Sequence, residues 1–546
     1  MRLSFMRQTI SPAAVASGIT TIAFLDYLCL LNSPSHLFVY HIDQHASTTL
    51  FLPVILDWLL LTAIILAIFI AARTRPHLDR VVWSSIACMF PWVATKAITS
   101  ALGGEFPHHV SLTFFFLSVV AAFIFLVVRI PGIDRVFSGI RFFTEILLAG
   151  IGFAGAIALL QTGWLAVQAR HLNDARVSNT IPAESSVRPH QRVVWILLDE
   201  LAYRQLYGHR LPGLALPAFD QFRTESTVFT DVQPTAIRTQ IAVPALMTGH
   251  PVDEVRASAQ GSLLMHTETG WQPFNQRDTV FADADALGYI TSVVGWYNPY
   301  CRLLGAVLNS CFWTNYSLRD GLFPPETFSR ALINPLVDFN AKILGFFHPN
   351  KRDWNEYSAG EEHIHDFTAL DHAADAALSD PRNTFVFLHM PVPHPDGIWD
   401  RRTARFAVDH SAYVDNLALA DLYLAHVRQL LTSMGQWDDT TVVIEGDHAF
   451  RAKLLWMKGP VWTAEDAAAS ADGRFDPRPA LVVKLPGQHT AAQVGTPFPA
   501  VRTRPLLDEL LTHRISNPEQ LEQWACCSSQ GASEARLAQG HFSPPT

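Results

Sequence analysis

Cationic charge is scarce in this chain: Lys and Arg number 40 against 49 Asp and Glu, a net charge of -9 over 546 residues. No basic stripe runs through any segment, which excludes a nucleic-acid partner, because such proteins carry clustered Lys and Arg. Cysteine is sparse too, at six, and the pair Cys526-Cys527 near the tail lacks metal-site spacing. The connections 33–48 and 103–108 hold no Lys or Arg at all. The stretch PTAIRTQIAVPALMTGH, residues 234–250, contains no cysteine, no serine and no glycine-rich elbow. The question it raises is whether Thr239 is a nucleophile or a helix-capping residue, a position threonine favours.

What is present divides unevenly. Nearly all the long apolar runs precede residue 170, and the His-rich, Pro-rich sequence follows it. Five stretches reach the roughly 20 residues a bilayer crossing needs: 12–32, 49–72, 81–102, 109–130 and 143–166. The first is not read as a cleavable signal peptide, since four more follow and no small-residue cleavage site closes it. Arg2 and Arg7 flank the first run, Arg73, Arg75 and Arg80 the second connection, and Arg129, Arg135 and Arg141 the fourth. Positive charge stays on the cytoplasmic side, so the N-terminus is expected inside and everything past residue 170 outside. Asp57 and Lys96 fall within expected spans, where Asp57 is placed to face a neighbouring helix or a lipid headgroup. The expected organisation is a transmembrane domain over 1–167, a linker over 168–191, a catalytic domain over 192–515 and a polar tail over 516–546.

From Arg192 onward, short β-rich runs alternate with amphipathic helical segments, the pattern of an α/β domain with a largely parallel sheet. Strands are expected at 193–198, 289–296, 384–390, 440–446 and 480–485, and helices at 214–226, 240–248, 277–287, 366–379 and 410–434. Ligands of open α/β sheets gather beyond the carboxyl ends of the strands. There the first strand ends in Asp199-Glu200, the third in His389 with His394 five residues on, and the fourth in Asp447-His448. Each alone reads as a helix cap or a satisfied histidine; their recurrence at one edge points to a metal. Carboxylate and imidazole suit zinc or manganese, and a metal would activate an otherwise weak hydroxyl nucleophile.

Several segments together resemble the alkaline-phosphatase/sulfatase superfamily: VVWILLDELAYRQLYG, the run ending QPTAIRTQIAVPALMTG, FLHMPVPHP, AYVDNLALADLYLAHVRQLLTSMGQWDDTTVVIEGDHAF and RPALVVKLPGQ, in family order over about 192–512. The family's nucleophilic position lies ten residues before the Gly of the closing Thr-Gly, which selects Thr239 over Thr235. Formylglycine sulfatases need a Cys or Ser there. A threonine resembles the membrane phosphoethanolamine and phosphoglycerol transferases, which carry five spans before an extracytoplasmic domain. The resemblance implies a phospho-Thr239 intermediate and a divalent metal, zinc or manganese, held by Asp199, Glu200, Thr239, Asp447 and His448. His394, ahead of His389, would contact the transferred group or protonate the leaving oxygen. Arg451 and Lys453 are placed to neutralise phosphoryl charge, and Trp296 and Tyr297 to line a cleft. Ala449 stands where the transferases usually show Gly, which marks a divergent branch.

The function implied is transfer of a phospholipid headgroup from a membrane lipid donor onto an envelope lipid or glycan, in a multi-pass inner-membrane protein with a periplasmic catalytic domain. Two other readings stand beside it: a hydrolase of phosphate or sulfate esters, and a non-catalytic lipid-binding regulator on the same fold. Cys29 and Cys88 lie in expected spans as packing residues. Cys301 and Cys311 are close enough for a local disulfide, which an oxidising compartment would permit.

Overall fold

The structure, a computed structural model, describes residues 10–33, 40–42, 50–101, 108–127, 131–172, 191–315, 328–329, 332, 352–408, 413–452, 462–471 and 473–527. Most of the expected linker, much of the tail and Lys453 lie outside these residues. The chain divides into two compact units, Met1–Leu172 with Gly321–Lys351, and Asn173–Asp320 with Arg352–Thr546.

The first unit is helical: α1 Pro12–Ala23, α2 Leu25–Leu31, α3 Leu52–Arg73, α4 Pro76–Ala101, α5 His108–Val127 and α6 Pro131–Ala169. Proline opens α1, α4 and α6, where a missing N–H costs nothing because first-turn donors lack intrahelical acceptors anyway. Among the described residues three helices are long and apolar enough to cross a membrane, or four if α1 and α2, bent by 76°, form one broken span. The expected first span breaks at Phe24, whose ψ of 15° leaves the helical region. The expected fourth span coincides with α5, a helix of 20 residues from His108 to Val127. Packing in this unit relies on close approach. A Cβ on Gly152 of α6 would lie 2.2 Å from the Ala14 carbonyl oxygen of α1, so only glycine lets these backbones meet. Polar contacts add to it: Thr62 Oγ1 donates to Thr20 Oγ1 at 3.0 Å, and Asn32 Nδ2 to Thr162 Oγ1 at 3.1 Å. Arg80 and Arg141 pair with Asp134 and Asp79 at 2.8 and 2.6 Å, joining α4 to α6. Asp57 is buried in α3, and Lys96 lies 5.7 Å from the Trp92 ring centroid.

The second unit holds an eight-stranded sheet: β1 Val193–Leu198, β2 Thr227–Phe229, β3 Thr291–Tyr297, β4 Ser310–Asn315, β5 Phe385–Met390, β6 Thr441–Gly446, β7 Leu481–Lys484 and β8 Ala492–Val494. The order is β8-β2-β7-β6-β1-β5-β3-β4. Strands β6, β1, β5, β3 and β4 run parallel, while β7 is antiparallel to both neighbours. All six residues of β1, β5 and β6 are buried, as continuous apolar runs require when helices cover both faces. Side chains alternate between faces. Val194, Ile196 and Leu198 join one core with the helices Arg352–Ser379 and Val414–Ser433, while Trp195 packs on Phe281 and Phe387 on the other side. The helices in this unit are α7 Pro217–Thr224, α8 Thr239–Thr248, α9 Val280–Ala286, α10 Tyr300–Leu304, α11 Arg352–Ser379 and α12 Val414–Ser433, followed by shorter C-terminal helices.

Candidate active site

Register brings the acidic groups together. Leu198 pairs with Gly446 across β1 and β6, so Asp199 and Asp447 are the next residues off two adjacent parallel strands. Glu200 then turns the chain in the left-handed region at φ 63°, a conformation costly for a residue with a Cβ and common at functional sites. Two hydrogen bonds hold it. The Glu200 N–H donates to Asp447 Oδ1 at 3.0 Å, and Tyr413 Oη donates to the Glu200 carbonyl at 2.9 Å. Gly446 has no side chain to obstruct the turn, since a Cβ there would lie 2.2 Å from the Leu201 carbonyl oxygen.

Thr239 opens α8 but does not cap it. The N-cap is Arg238, in extended conformation and with no side-chain cap hydrogen bond. The Thr239 hydroxyl instead donates to Asp199 Oδ2 at 3.1 Å and lies 3.2 Å from His448 Nε2. His448 Nδ1 is 3.2 Å from the Ala449 carbonyl oxygen, which can only accept, so Nδ1 carries the proton and Nε2 offers a lone pair. One hydroxyl proton thus faces two acceptors. Asp199 Oδ1 and Asp447 Oδ2 are also buried with no hydrogen-bond partner among the described residues. Thr235 makes no hydrogen bond to this cluster, and its own hydroxyl oxygen is buried and unpartnered.

Such a donor set, rich in lone pairs and short of protons, fits a divalent cation. Asp199, Asp447 and His448 present atoms within 4.8 Å of one another, and so do Asp199, Glu200 and His394. Burial raises the Asp199 carboxyl well above its ordinary range, and the neighbouring Asp447 adds to the shift. Asp447 rises to about 7, chiefly through burial. Bound positive charge would relieve that strain. Burial, reinforced by Arg451, pushes His394 and His448 well below the usual imidazole range, so both rings are neutral. Arg451 pairs with Glu200 and donates to the Ile237 carbonyl at 3.4 Å. Its charge is therefore engaged with the acidic turn.

The two expected histidines separate. His394 joins the second acidic cluster. His389 sits behind, its Nδ1 2.6 Å from Tyr300 Oη and its Nε2 3.9 Å from Asp199 Oδ2, with burial lowering it to about 3. Asn416 of α12 fixes the loop carrying His394, donating to the carbonyls of His394 and Asp396 at 2.7 and 2.9 Å and accepting from the Ile398 N–H at 3.0 Å. Trp296 is buried beside these histidines: its ring meets His394 edge-on at 5.3 Å and stacks on His363 at 5.5 Å. Its Nε1–H donates to Asp366 at 3.2 Å. Tyr297 Oη donates to Gln240 at 2.8 Å, bracing the start of α8. Sequence reading did not single out Asn416, Tyr413, Tyr300, His363 or Asp366. The available signal for the first two was a polar opening, Tyr413-Val414-Asp415-Asn416, ahead of the apolar positions of the helix. Cys301 and Cys311 form a disulfide that ties α10, which carries Tyr300, to β4.

With this geometry in hand, the Sulfatase family model matches residues 191–468, half of the chain, and the chain belongs to that family. Its α/β unit has the fold of the alkaline-phosphatase/sulfatase superfamily, which serves hydrolases and transferases and uses divalent metals. Among solved structures, the chain is similar to Ps i-CgsB bound to k-i-k-neocarrahexaose (14% identity, TM-score 0.40, covering 61% of this chain and 75% of that one). It is also similar to the phosphonate monoester hydrolase of Agrobacterium radiobacter (16%, TM-score 0.36, 60% and 74%). A third is the lipoteichoic acid synthase LtaP from Listeria monocytogenes (13%, TM-score 0.32, 63% and 78%). No curated protein matches the chain.

Proposed function

We propose that the protein is a metal-dependent phosphotransferase that moves a phospholipid headgroup, of phosphoethanolamine or phosphoglycerol type, through a phospho-Thr239 intermediate onto an envelope lipid or glycan. The observation that carries this reading is the Thr239 hydroxyl, shared between Asp199 and His448 beside two buried carboxylate oxygens without hydrogen-bond partners. Asp199, Asp447 and His448, with Glu200 and Thr239 at their margin, would hold the cation, zinc or manganese. When bound it supplies charge neutralisation and lowers the hydroxyl's pKa.

In the first half-reaction the Thr239 Oγ–P bond forms and the P–O bond to diacylglycerol breaks. The hydroxyl proton passes to a neighbouring acceptor, Asp199 being the group it already faces, and the departing glycerol oxygen gains a proton. In the second half-reaction an acceptor hydroxyl gives up its proton and attacks phosphorus, the Thr239 Oγ–P bond breaks, and the Thr239 oxygen takes up a proton. His394, neutral and next to the cluster, orients the transferred group. The apolar helices support a lipid donor, and the charge pattern of their connections supports an extracytoplasmic α/β unit.

The test is intact-mass measurement of the full chain in detergent after incubation with phosphatidylethanolamine or phosphatidylglycerol, alongside metal analysis. A headgroup-sized adduct is expected on wild type and Thr235→Ala but not on Thr239→Ala. An adduct that survives in Thr239→Ala would refute the assignment. Headgroup release into water without transfer would make the enzyme a hydrolase. A folded protein with neither metal nor adduct would be a lipid-binding regulator.

A further inference from the structure

On the same edge of the sheet as the acidic cluster, a cavity of about 530 Å³ is lined by Arg204, His209, Arg474, Asp476 and Arg478. It forms where the chain leaving the Asp199-Glu200 turn meets the chain entering β7. Ala202 bridges Pro479 there, and the Tyr203 N–H donates to the Arg478 carbonyl at 3.1 Å. Three guanidiniums and one carboxylate line the space. The carboxylate is already committed: Arg478 grips Asp476 through two hydrogen bonds at 2.9 and 2.7 Å. Arg478 is further fixed by donating to the Thr230 carbonyl at 2.9 Å and by lying 5.0 Å from the Tyr203 ring centroid.

Arg204 and Arg474 make no ion pair among the described residues. Arg204 Nε is also buried, with no hydrogen-bond partner among the described residues. A cationic N–H withdrawn from water without an acceptor is costly. Arg204 also lines the cavity, where three guanidiniums stand against one carboxylate. We propose that this cavity is an anion subsite taking a phosphate-bearing group, held by Arg204 and Arg474 with Arg478 fixed beside them by Asp476. Planar guanidinium forks match phosphate oxygens two at a time. The use of the subsite rests on the transfer reading: it would bind a phosphorylated acceptor or an anionic lipid headgroup during turnover.

The experiment is site-resolved modification of the full chain by the arginine reagent phenylglyoxal, read by peptide mass. Inorganic phosphate is expected to slow modification of Arg204 and Arg474 while leaving Arg514, 70% exposed, unchanged. In Arg204→Gln, protection of Arg474 should require about tenfold more phosphate, the loss of roughly one charge-assisted hydrogen bond. A second arm replaces phosphate with phosphatidylglycerol or phosphatidylcholine vesicles. Protection by the anionic vesicles alone identifies a headgroup as the source and supports the same subsite. Equal modification with and without either probe overturns the proposal, as does unshifted protection in Arg204→Gln. The Thr239 adduct is read in the same wild-type samples. Protection without an adduct would sink the transfer reading and leave the subsite standing, and an adduct without protection would do the reverse.

Discussion

Replacing Asn416 by leucine should separate the loop bearing His394 from the helix that holds it. Asn416 is fully buried, and its amide orientation is set by its partners: two carbonyls that can only accept face Nδ2, and one N–H that can only donate faces Oδ1. Leucine keeps the branched shape at Cγ, with methyl groups larger than the amide's oxygen and nitrogen, while three buried backbone groups lose their partners. At roughly 1 kcal/mol net for each, the cost is about 3 kcal/mol, on the order of a hundredfold in the folding equilibrium. Asn416→Asp keeps the acceptor for Ile398 but turns both donations into repulsive contacts, so it should be at least as damaging. Two readouts apply to the full chain: the denaturant midpoint of the α/β unit, and the rate of adduct formation at Thr239. Loss of loop register should slow the adduct by up to about 10²-fold, the effect of displacing a reacting group by about 1 Å. An Asn416→Leu protein within about 0.5 kcal/mol of wild type, with an unchanged adduct rate, would refute the claim that this clasp positions His394.

His363 is buried against Trp296, and burial lowers its pKa to about 4, so between that value and about 6.5 the unfolded chain binds a proton the folded one refuses. Stability should therefore fall as pH drops through that window, and His363→Phe, which keeps the stack, should lose about 2 kcal/mol less than wild type between pH 6.5 and 5. Matching urea-unfolding profiles for the two proteins across that range would rule the linkage out. Opening the disulfide by Cys301→Ser with Cys311→Ser should cost about 3 kcal/mol, measured as a drop in denaturant midpoint, and should loosen α10, which carries the Tyr300 partner of His389; an unshifted midpoint would show that α10 is held without it.

The central strands were legible because a strand covered on both faces is apolar throughout. The residues at their ends stood out because acids and imidazoles interrupt that apolarity. The direction of β7 was not legible, since ALVVKL has the same composition whether it runs parallel or antiparallel to β6. Hydropathy over residues 12–32 could not see the break at Phe24, which is a change in backbone angle within unbroken apolar sequence. Hydropathy also missed the start of α6 at Pro131, because Asp134, Arg135 and Arg141 precede the apolar run that marked it. Tyr413 and Asn416 escaped notice because their partners are backbone carbonyls more than 200 and about 20 residues away. No local pattern records a bond of that kind.

Thr239 shows how a local signal can mislead about role while marking the right residue. Threonine before an apolar helix suggests a cap, and a capping threonine would spend its oxygen on the backbone of its own first turn. Here the cap position falls one residue earlier, on Arg238, which adopts the extended conformation but offers no capping oxygen. Its carbonyl still accepts from the Ile241 and Ala242 N–H groups at 3.0 and 2.9 Å, so the helix starts without help from a side chain. Two consequences follow from that one-residue displacement. The Thr239 hydroxyl is left to face Asp199 and His448, and the first two N–H groups of the helix, those of Thr239 and Gln240, which precede the first intrahelical bond, remain beside it at the positive end of the helix dipole. A phosphoryl group arriving at Thr239 would carry the charge such an end favours. The absent cap is thus a condition of the proposed chemistry, because the same oxygen cannot close the helix and attack phosphorus.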